Sequence, residues 1–212
     1  MTSKVVLITG ASSGFGKACA EHLAGLGHWV YGTSRRARFE DGAVVPGGVR
    51  MLPMDVREDD SVARAIAFIR KDAGRLDVLV NNAGLALAGA IEDTTVDEAR
   101  DLFETNLFGA HRVCRAALPI LRAQGAGLII NVSSLAGLVT VPFQGFYSAS
   151  KYALESMTDA LRMEVAAFGI RVVLIEPGDF KSGFTAGRVF AAASGEGSPY
   201  AERCARGGGD GA

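Results

Sequence analysis

The sequence predicts an α/β fold: a doubly wound parallel sheet covered by helices on both faces. Three observations carry that expectation. Short runs rich in Val, Ile and Leu recur along the chain, longer segments of helical period separate them, and the short runs are apolar on both faces. Strands of that kind must be buried from two sides, and the helices between them supply the cover, as in parallel β-α-β units.

The first strand, 4–9, leads into a helix over 14–26. Strands at 29–33 and 49–54 follow, then a helix at 60–73 in which Val62, Ala65, Ile66 and Ile69 trace one apolar face. The fourth strand falls at 77–81. A long helical stretch, 96–123, separates it from the fifth at 128–133, and a helix over 146–168 precedes the sixth at 171–176. Right-handed crossovers leave few orders for these strands, and 3-2-1-4-5-6 is the one associated with dinucleotides, a Rossmann-type three-layer sandwich. Ligands of such sheets sit outside the carboxyl ends of the strands, where the winding reverses. The residues that follow each strand are therefore the candidates for function.

Composition narrows the partner. The 212 residues are 49% apolar with a formal net charge of −1. One sizeable core is expected, with no linker before the tail. Without a long block of like charge, neither a nucleic-acid surface nor a polybasic membrane anchor is suggested, and a small-molecule partner fits better. Cys19, Cys114 and Cys204 are an odd number with no CxxC or Cys/His cluster, which argues against a disulfide framework and a zinc site and for a reducing compartment. No apolar run approaches the ~18 residues of a spanning helix. Val5 to Thr9 is already a buried-strand pattern before a Gly-rich turn, so a cleaved leader would remove structure the motif needs. The expected location is cytoplasmic.

After the first strand comes Thr9-Gly10-Ala11-Ser12-Ser13-Gly14-Phe15-Gly16, opening a helix. Gly10, Gly14 and Gly16 let the chain turn tightly and let backbone N–H groups and the helix N-terminus approach a pyrophosphate. The spacing Gly-x-x-x-Gly-x-Gly differs from the Gly-x-Gly-x-x-Gly fingerprint. After the second strand, where an NAD site usually offers a carboxylate to the ribose, this chain has Ser34-Arg35-Arg36. Arg35 can form forked, charge-assisted hydrogen bonds to a 2′-phosphate, so NADP is favoured over NAD. Asp55-Val56 follows the third strand, its carboxylate suited to the exocyclic amine of adenine or to the N-terminal turn of the next helix. Asn81-Asn82-Ala83-Gly84 follows the fourth, small and amide residues where the backbone passes close to a ligand.

The fifth strand ends in Asn131-Val132-Ser133-Ser134, a short step before Tyr147. Helical spacing stacks Tyr147 and Lys151 on one face. A serine hydroxyl and the phenol at one end of the sheet can both reach a single carbonyl oxygen. Glu176-Pro177-Gly178 closes the sixth strand with a turn near the nicotinamide end of such a cofactor.

Taken together, TGASSGFG at 9–16, DV at 55–56, NNAG at 81–84, Asn106, NVSS at 131–134, YSASK at 147–151 and PG at 177–178 make the sequence resemble the short-chain dehydrogenase/reductase family. The resemblance implies a cofactor cradle of Gly10, Ser12, Ser13, Gly14, Phe15 and Gly16, with Ser34, Arg35, Asp55, Val56, Asn81, Asn82, Ala83, Gly84, Tyr147, Lys151, Pro177, Gly178 and Ser182 completing it. It implies Tyr147 as general acid or base, Lys151 on the nicotinamide ribose, Ser134 rather than Ser133 on the substrate oxygen, and Asn106 anchoring a water in the proton relay. A phenol titrates near ~10, and the Lys151 ammonium with the oxidised nicotinamide is expected to lower that value. The implied reaction is hydride transfer between NADP(H) and an alcohol or carbonyl. Gly137-Leu138, Pro142-Phe143 and Tyr152-Ala153-Leu154-Glu155 resemble the hydroxysteroid and retinol dehydrogenase branch, which implies an apolar substrate and a pocket lined by Leu138, Phe143 and Phe184. A homodimer through the two long helices is also implied.

Beyond Phe184 the resemblance ends. Relatives continue with a substrate-covering segment, a helix and a seventh strand; here Ser194-Gly195-Glu196-Gly197-Ser198-Pro199 and the Gly-rich end have linker composition. A catalytic domain at 1–184 and an irregular tail at 185–212 are expected, with the sixth strand's edge unpaired. The alternative expectation is a truncated relative that binds the dinucleotide with little turnover.

Overall fold

The computed structural model describes residues 2–37, 44–45, 48–178 and 187–207. At its centre are six parallel strands: β1 (Val5–Ile8), β2 (Trp29–Ser34), β4 (Val49–Pro53), β5 (Val78–Asn81), β7 (Gly127–Val132) and β8 (Ile170–Ile175). They lie in the order β4-β2-β1-β5-β7-β8, the expected 3-2-1-4-5-6. Leu7 is paired with Tyr31 on one side and Leu79 on the other, so β1 is the middle of the sheet. The winding runs outward from β1 through β2 to β4 and restarts at β5, and the crevice opens between the carboxyl ends of β1 and β5.

Alternate residues of the strands face opposite layers. Val5, Leu7, Leu79, Ile129 and Val172 pack with α2 (Asp59–Ala73), α4 (Ala110–Gln124) and α5 (Gly145–Val165). Val6, Ile8, Val30 and Val80 pack with Ala20 of α1 (Gly14–Gly25). In α2 the apolar face is the one read from the sequence, since Val62, Ala65, Ile66 and Ile69 are all buried. No described helix is long and apolar enough to cross a membrane.

Three departures matter for the site. The stretch 96–123 is not one helix: α3 (Val96–Phe103) gives way to a π-helical turn at Glu104–Gly109 before α4. Such turns accommodate an extra residue at functional positions. Here the turn buries Asn106, whose amide bonds the Leu85 backbone, while Gly109 packs so closely on Val56 that a Cβ would stand 2.7 Å from its methyl carbon. Secondly, two-residue strands too short to show periodicity are present. β3 (Val44–Val45) runs antiparallel along the edge of β4, and β6 (Leu87–Ala88) pairs in parallel with β9 (Val189–Phe190).

The third departure concerns the segment expected to be an irregular tail. Residues 187–207 hold β9 and a helix, α6 (Ala201–Gly207). Composition missed them because their order comes from contacts distant in sequence. Ala192 N–H donates to Glu98 Oε1 (2.7 Å), Ser198 Oγ to Asp93 (2.7 Å) and the Tyr200 hydroxyl to Glu92 (2.7 Å), while Ala191 and Cys204 are buried. Ser182 and Phe184 lie outside the described residues.

Candidate active site

The loop after β1 is shaped by what it cannot accommodate. Gly10 has φ 66°, and a Cβ there would meet the Ala83 backbone at 2.9 Å. At Gly16 a Cβ would land on the Asn82 amide and within 2.6 Å of the Gly10 carbonyl. Ser12 to Phe15 are exposed, and Ser13 caps α1 without a side-chain hydrogen bond, so the first N–H groups of the helix keep their donors for an anion. This cradle suits a pyrophosphate.

Thr9, 1% exposed, ties that loop to the one after β5. Its Oγ1 accepts from Asn82 N–H and Ala83 N–H, both at 2.9 Å, and Asn82 Nδ2 returns a bond to the Thr9 carbonyl at 2.9 Å. Thr9→Val keeps the shape and removes the acceptor. It is expected to lower stability by about 2–4 kcal/mol, because two inward-facing donors lose their partner. Urea unfolding measures this; an unchanged midpoint would show that the tie contributes nothing.

Asn81 lies at the same strand end, but its amide is spent inside the protein, on Asn131 Oδ1 (2.8 Å) and the Cys114 sulfur (3.1 Å). Asn131 in turn donates to Thr158 Oγ1 (2.8 Å), which fixes α5 to β7. Burial pushes the Cys114 thiol up to about 12, so it is a packing residue and not a nucleophile.

On the adenosine side, Asp55 accepts from Arg57 N–H (3.0 Å) and pairs with its guanidinium (3.4 Å). Burial works against its ionisation, but these Arg57 bonds and the charges of Arg57 and Arg35 outweigh it and hold the carboxyl below its usual range. Arg57 is a neighbour the sequence did not single out. Arg35 is exposed just past β2, and the Ser34 hydroxyl accepts from Arg36 N–H (3.2 Å).

The reacting end gathers Ser134, Tyr147, Lys151 and Asn106. The carboxyl ends of β7 and β8 are locked together by Ser133 N–H to the Ile175 carbonyl (2.8 Å) and Leu135 N–H to the Pro177 carbonyl (3.0 Å). That fixes Ser134, whose hydroxyl accepts from Ala136 N–H (3.1 Å) and lies beside the Tyr147 phenol. Ser133 points elsewhere, toward Gly137 and Glu155, so the two serines are separated by direction. Lys151, 5% exposed, donates from Nζ to the Val132 carbonyl (2.9 Å), and its ammonium is 5.9 Å from the centre of the Tyr147 ring. Asn106, 1% exposed, clamps Leu85 through both its amide atoms, at 2.8 and 3.0 Å, and donates to Ser150 Oγ at 3.1 Å. Gly84 fits between them: a Cβ there would stand 3.3 Å from Asn106 Oδ1 and 3.8 Å from Lys151 Nζ.

Within the chain itself, burial governs the acidity of the phenol. Burial raises Tyr147 above its ordinary value; the Ser134 hydroxyl and the charge of Arg188 act in the opposite direction and do not overcome it. Burial likewise drives the Lys151 ammonium down, to about 8, with Glu155 opposing. Desolvation penalises the charged form of both groups, and at this depth it exceeds the local fields. Arg188 and Glu155 were not read as site residues. Nothing in local spacing marks Arg188, whose charge acts on the phenol from the residue before β9, where that strand docks on β6.

Residues 4–191 match the family model for short chain dehydrogenases. The chain belongs to the short-chain dehydrogenase family. It is 46% identical over 202 residues to a 3-ketodihydrosphingosine reductase of Bacteroides thetaiotaomicron, covering 95% of this chain and 73% of that one. It is 36% identical over 207 residues to an NADPH-dependent 3-dehydrocapnine reductase of Ornithobacterium rhinotracheale, covering 93% and 71%. Among solved structures it resembles a short-chain dehydrogenase from Streptomyces avermitilis, with TM-score 0.86, 42% identity and coverage of 97% and 76%. A second, from Burkholderia phymatum in complex with NAD, gives TM-score 0.82 and 28% identity over 97% and 76% of the two chains. The chain thus spans about two thirds to three quarters of the length of the relatives it matches. Both dinucleotides occur among these proteins.

As a short-chain dehydrogenase this chain is an oxidoreductase, and among the described residues it has one non-glycine residue at positive φ. Phe143 adopts φ 60°, a conformation costly for a residue with a bulky side chain. Gly89 N–H donates to its carbonyl (2.8 Å), and the Arg203 guanidinium lies 5.8 Å over its ring.

Proposed function

We propose that this short-chain dehydrogenase is an NADP(H)-dependent oxidoreductase that interconverts an apolar alcohol and its ketone or aldehyde, with residues 1–184 carrying the cofactor and the chemistry. The observation that carries the reading is the buried Lys151 ammonium 5.9 Å from the Tyr147 ring, with the Ser134 hydroxyl beside the same phenol. The dinucleotide, when bound, supplies or accepts the hydride. Ser134 donates to the substrate oxygen and orients it. Tyr147 delivers the phenolic proton to that oxygen in reduction and removes it in oxidation. Lys151 is fixed by the Val132 carbonyl with its ammonium near the phenol ring, where its charge would favour the phenolate and its remaining donors would bind ribose hydroxyls of the dinucleotide. Asn106 holds the loop after β5 against Ser150 and keeps the pair in register. The exposed side chains of Leu135, Leu138, Val139, Val189 and Phe190 support an apolar substrate. The names of both relatives described above, reductases, one of them for a 3-keto compound, are consistent with reduction of a ketone.

Arg35 supports NADP, and the name of the 3-dehydrocapnine reductase agrees. A fluorescence titration with NADPH and NADH tests this. Arg35→Ala is expected to weaken NADPH about tenfold or more, the worth of one charge-assisted hydrogen bond, and to leave NADH unchanged. Equal loss for both nucleotides would remove Arg35 from cofactor choice. Turnover of a ketone panel with NADPH tests the reaction itself; binding without turnover would reduce the protein to a nucleotide-binding module.

A further inference from the structure

Tyr147, Lys151 and Glu155 follow one another at intervals of four residues along one face of α5. The reaction as read above uses the first two. Glu155 occupies the wall where α5 meets the end of β7. Its Oε1 is shut off from solvent, and the Ser133 hydroxyl lies beside it without meeting the geometry of a hydrogen bond. The point where a Cβ on Gly137 would stand is 2.8 Å from Ser133 Oγ and 3.2 Å from Glu155 Oε1, so only glycine leaves room for this arrangement. One residue earlier, the Val132 carbonyl accepts from Lys151. The strand end thus holds the Lys151 ammonium through a carbonyl and places the Ser133 hydroxyl beside the buried Glu155 oxygen.

We propose that Glu155 is a positioning residue for proton transfer: its carboxylate, one turn beyond Lys151, keeps that ammonium charged in its desolvated place between β7 and α5. The inference rests on the reading of Tyr147 and Lys151 given above. Burial disfavours the Lys151 charge, and the field of Glu155 acts against burial. The groups facing Glu155 are Lys151 and Asp159 on its own helix, Ser133 just past β7 and Glu176 just past β8. Burial raises its carboxyl, Ser133 lowers it, the charges of Glu176 and Asp159 raise it further, and Lys151 lowers it. Toward the phenol, the facing groups are Ser134, Arg188 and Lys151, whose ammonium is 5.9 Å from the ring centre. Without the Glu155 charge Lys151 loses its proton at lower pH, and the phenolate loses the cation that stabilises it.

The test reads the lysine directly. The sequence has five lysines, so carbon-13 labelling at the ε-carbon gives a sparse NMR spectrum in which Lys151→Arg assigns one signal. That signal is expected to titrate at about 8 in the wild type and roughly one pH unit lower in Glu155→Gln. Glu155→Asp, which keeps the charge but withdraws it, should fall between and carries the test if Glu155→Gln fails to fold. An unmoved midpoint in a folded variant overturns the proposal whatever the activity. In ketone reduction with NADPH, the alkaline limb of kcat/KM should move down with the lysine. A fall by the same factor at every pH would instead mean that Glu155 only packs. Undiminished turnover by Tyr147→Phe would sink the parent reading separately, without touching the lysine titration.

Discussion

Tyr147→Phe is expected to lower kcat for ketone reduction by about 10³-fold, within the range general acid catalysis supplies, while NADPH affinity stays within about threefold of the wild type. The ring itself is structural. It packs with Ala86, Leu87, Leu102, Ala136 and Ala191, and phenylalanine preserves those contacts. What is lost is the hydroxyl beside Ser134 that hands over the proton in the proposed reaction. The sign of the pH dependence follows from burial of the phenol, which keeps it protonated through neutrality. Reduction, which needs the acid, is therefore expected to be efficient at neutral pH, and oxidation, which needs phenolate, to rise toward alkaline pH. Steady-state kinetics in both directions with a parallel nucleotide titration check this. Retention of more than a tenth of the wild-type kcat would mean that the proton comes from elsewhere.

Gly16→Ala should damage the dinucleotide cradle even though it adds a single methyl group. The new Cβ would displace the Asn82 amide, which bonds the Thr9 carbonyl at 2.9 Å and the Gly10 carbonyl at 3.2 Å, and would press on the Gly10 backbone. Overpacking plus the lost hydrogen bonds amounts to about 2–4 kcal/mol, or a fall in Tm of roughly 5–15 °C for a domain of this size. NADPH affinity should drop more than tenfold with it. Gly25→Ala on the same helix is the control: a Cβ there meets nothing within 4 Å. That change is expected to be neutral or stabilising by up to about 1 kcal/mol. Equal Tm values for the two variants would remove the steric account of Gly16.

Much of the site was legible because short-range chemistry carries it. Glycines show where the backbone must turn or approach closely, and the four-residue step shows that Tyr147 and Lys151 share a face. The choice between Ser133 and Ser134 came from a family spacing, and the structure gives its physical basis: one hydroxyl turns to Tyr147, the other to Glu155. Asn81 and Asn131 stood in the same motifs, but only their pairing across β5 and β7 shows that they brace the sheet. The π-helical turn at Glu104–Gly109 was read as plain helix, since a single inserted residue leaves the apolar period nearly intact.

The sequence by itself determined the layers, the strand order and the positions that can carry chemistry, because hydrophobic period and turn residues are local properties of the chain. Tertiary structure decided the charge states and the company of those positions. Whether Lys151 stays protonated depends on its depth and on Glu155, and the acidity of Tyr147 depends on burial and on Arg188, which arrives from a distant strand. Desolvation and Coulomb fields are sums over neighbours in space. No stretch of sequence contains that sum until β6 has met β9 and α5 has closed on β7.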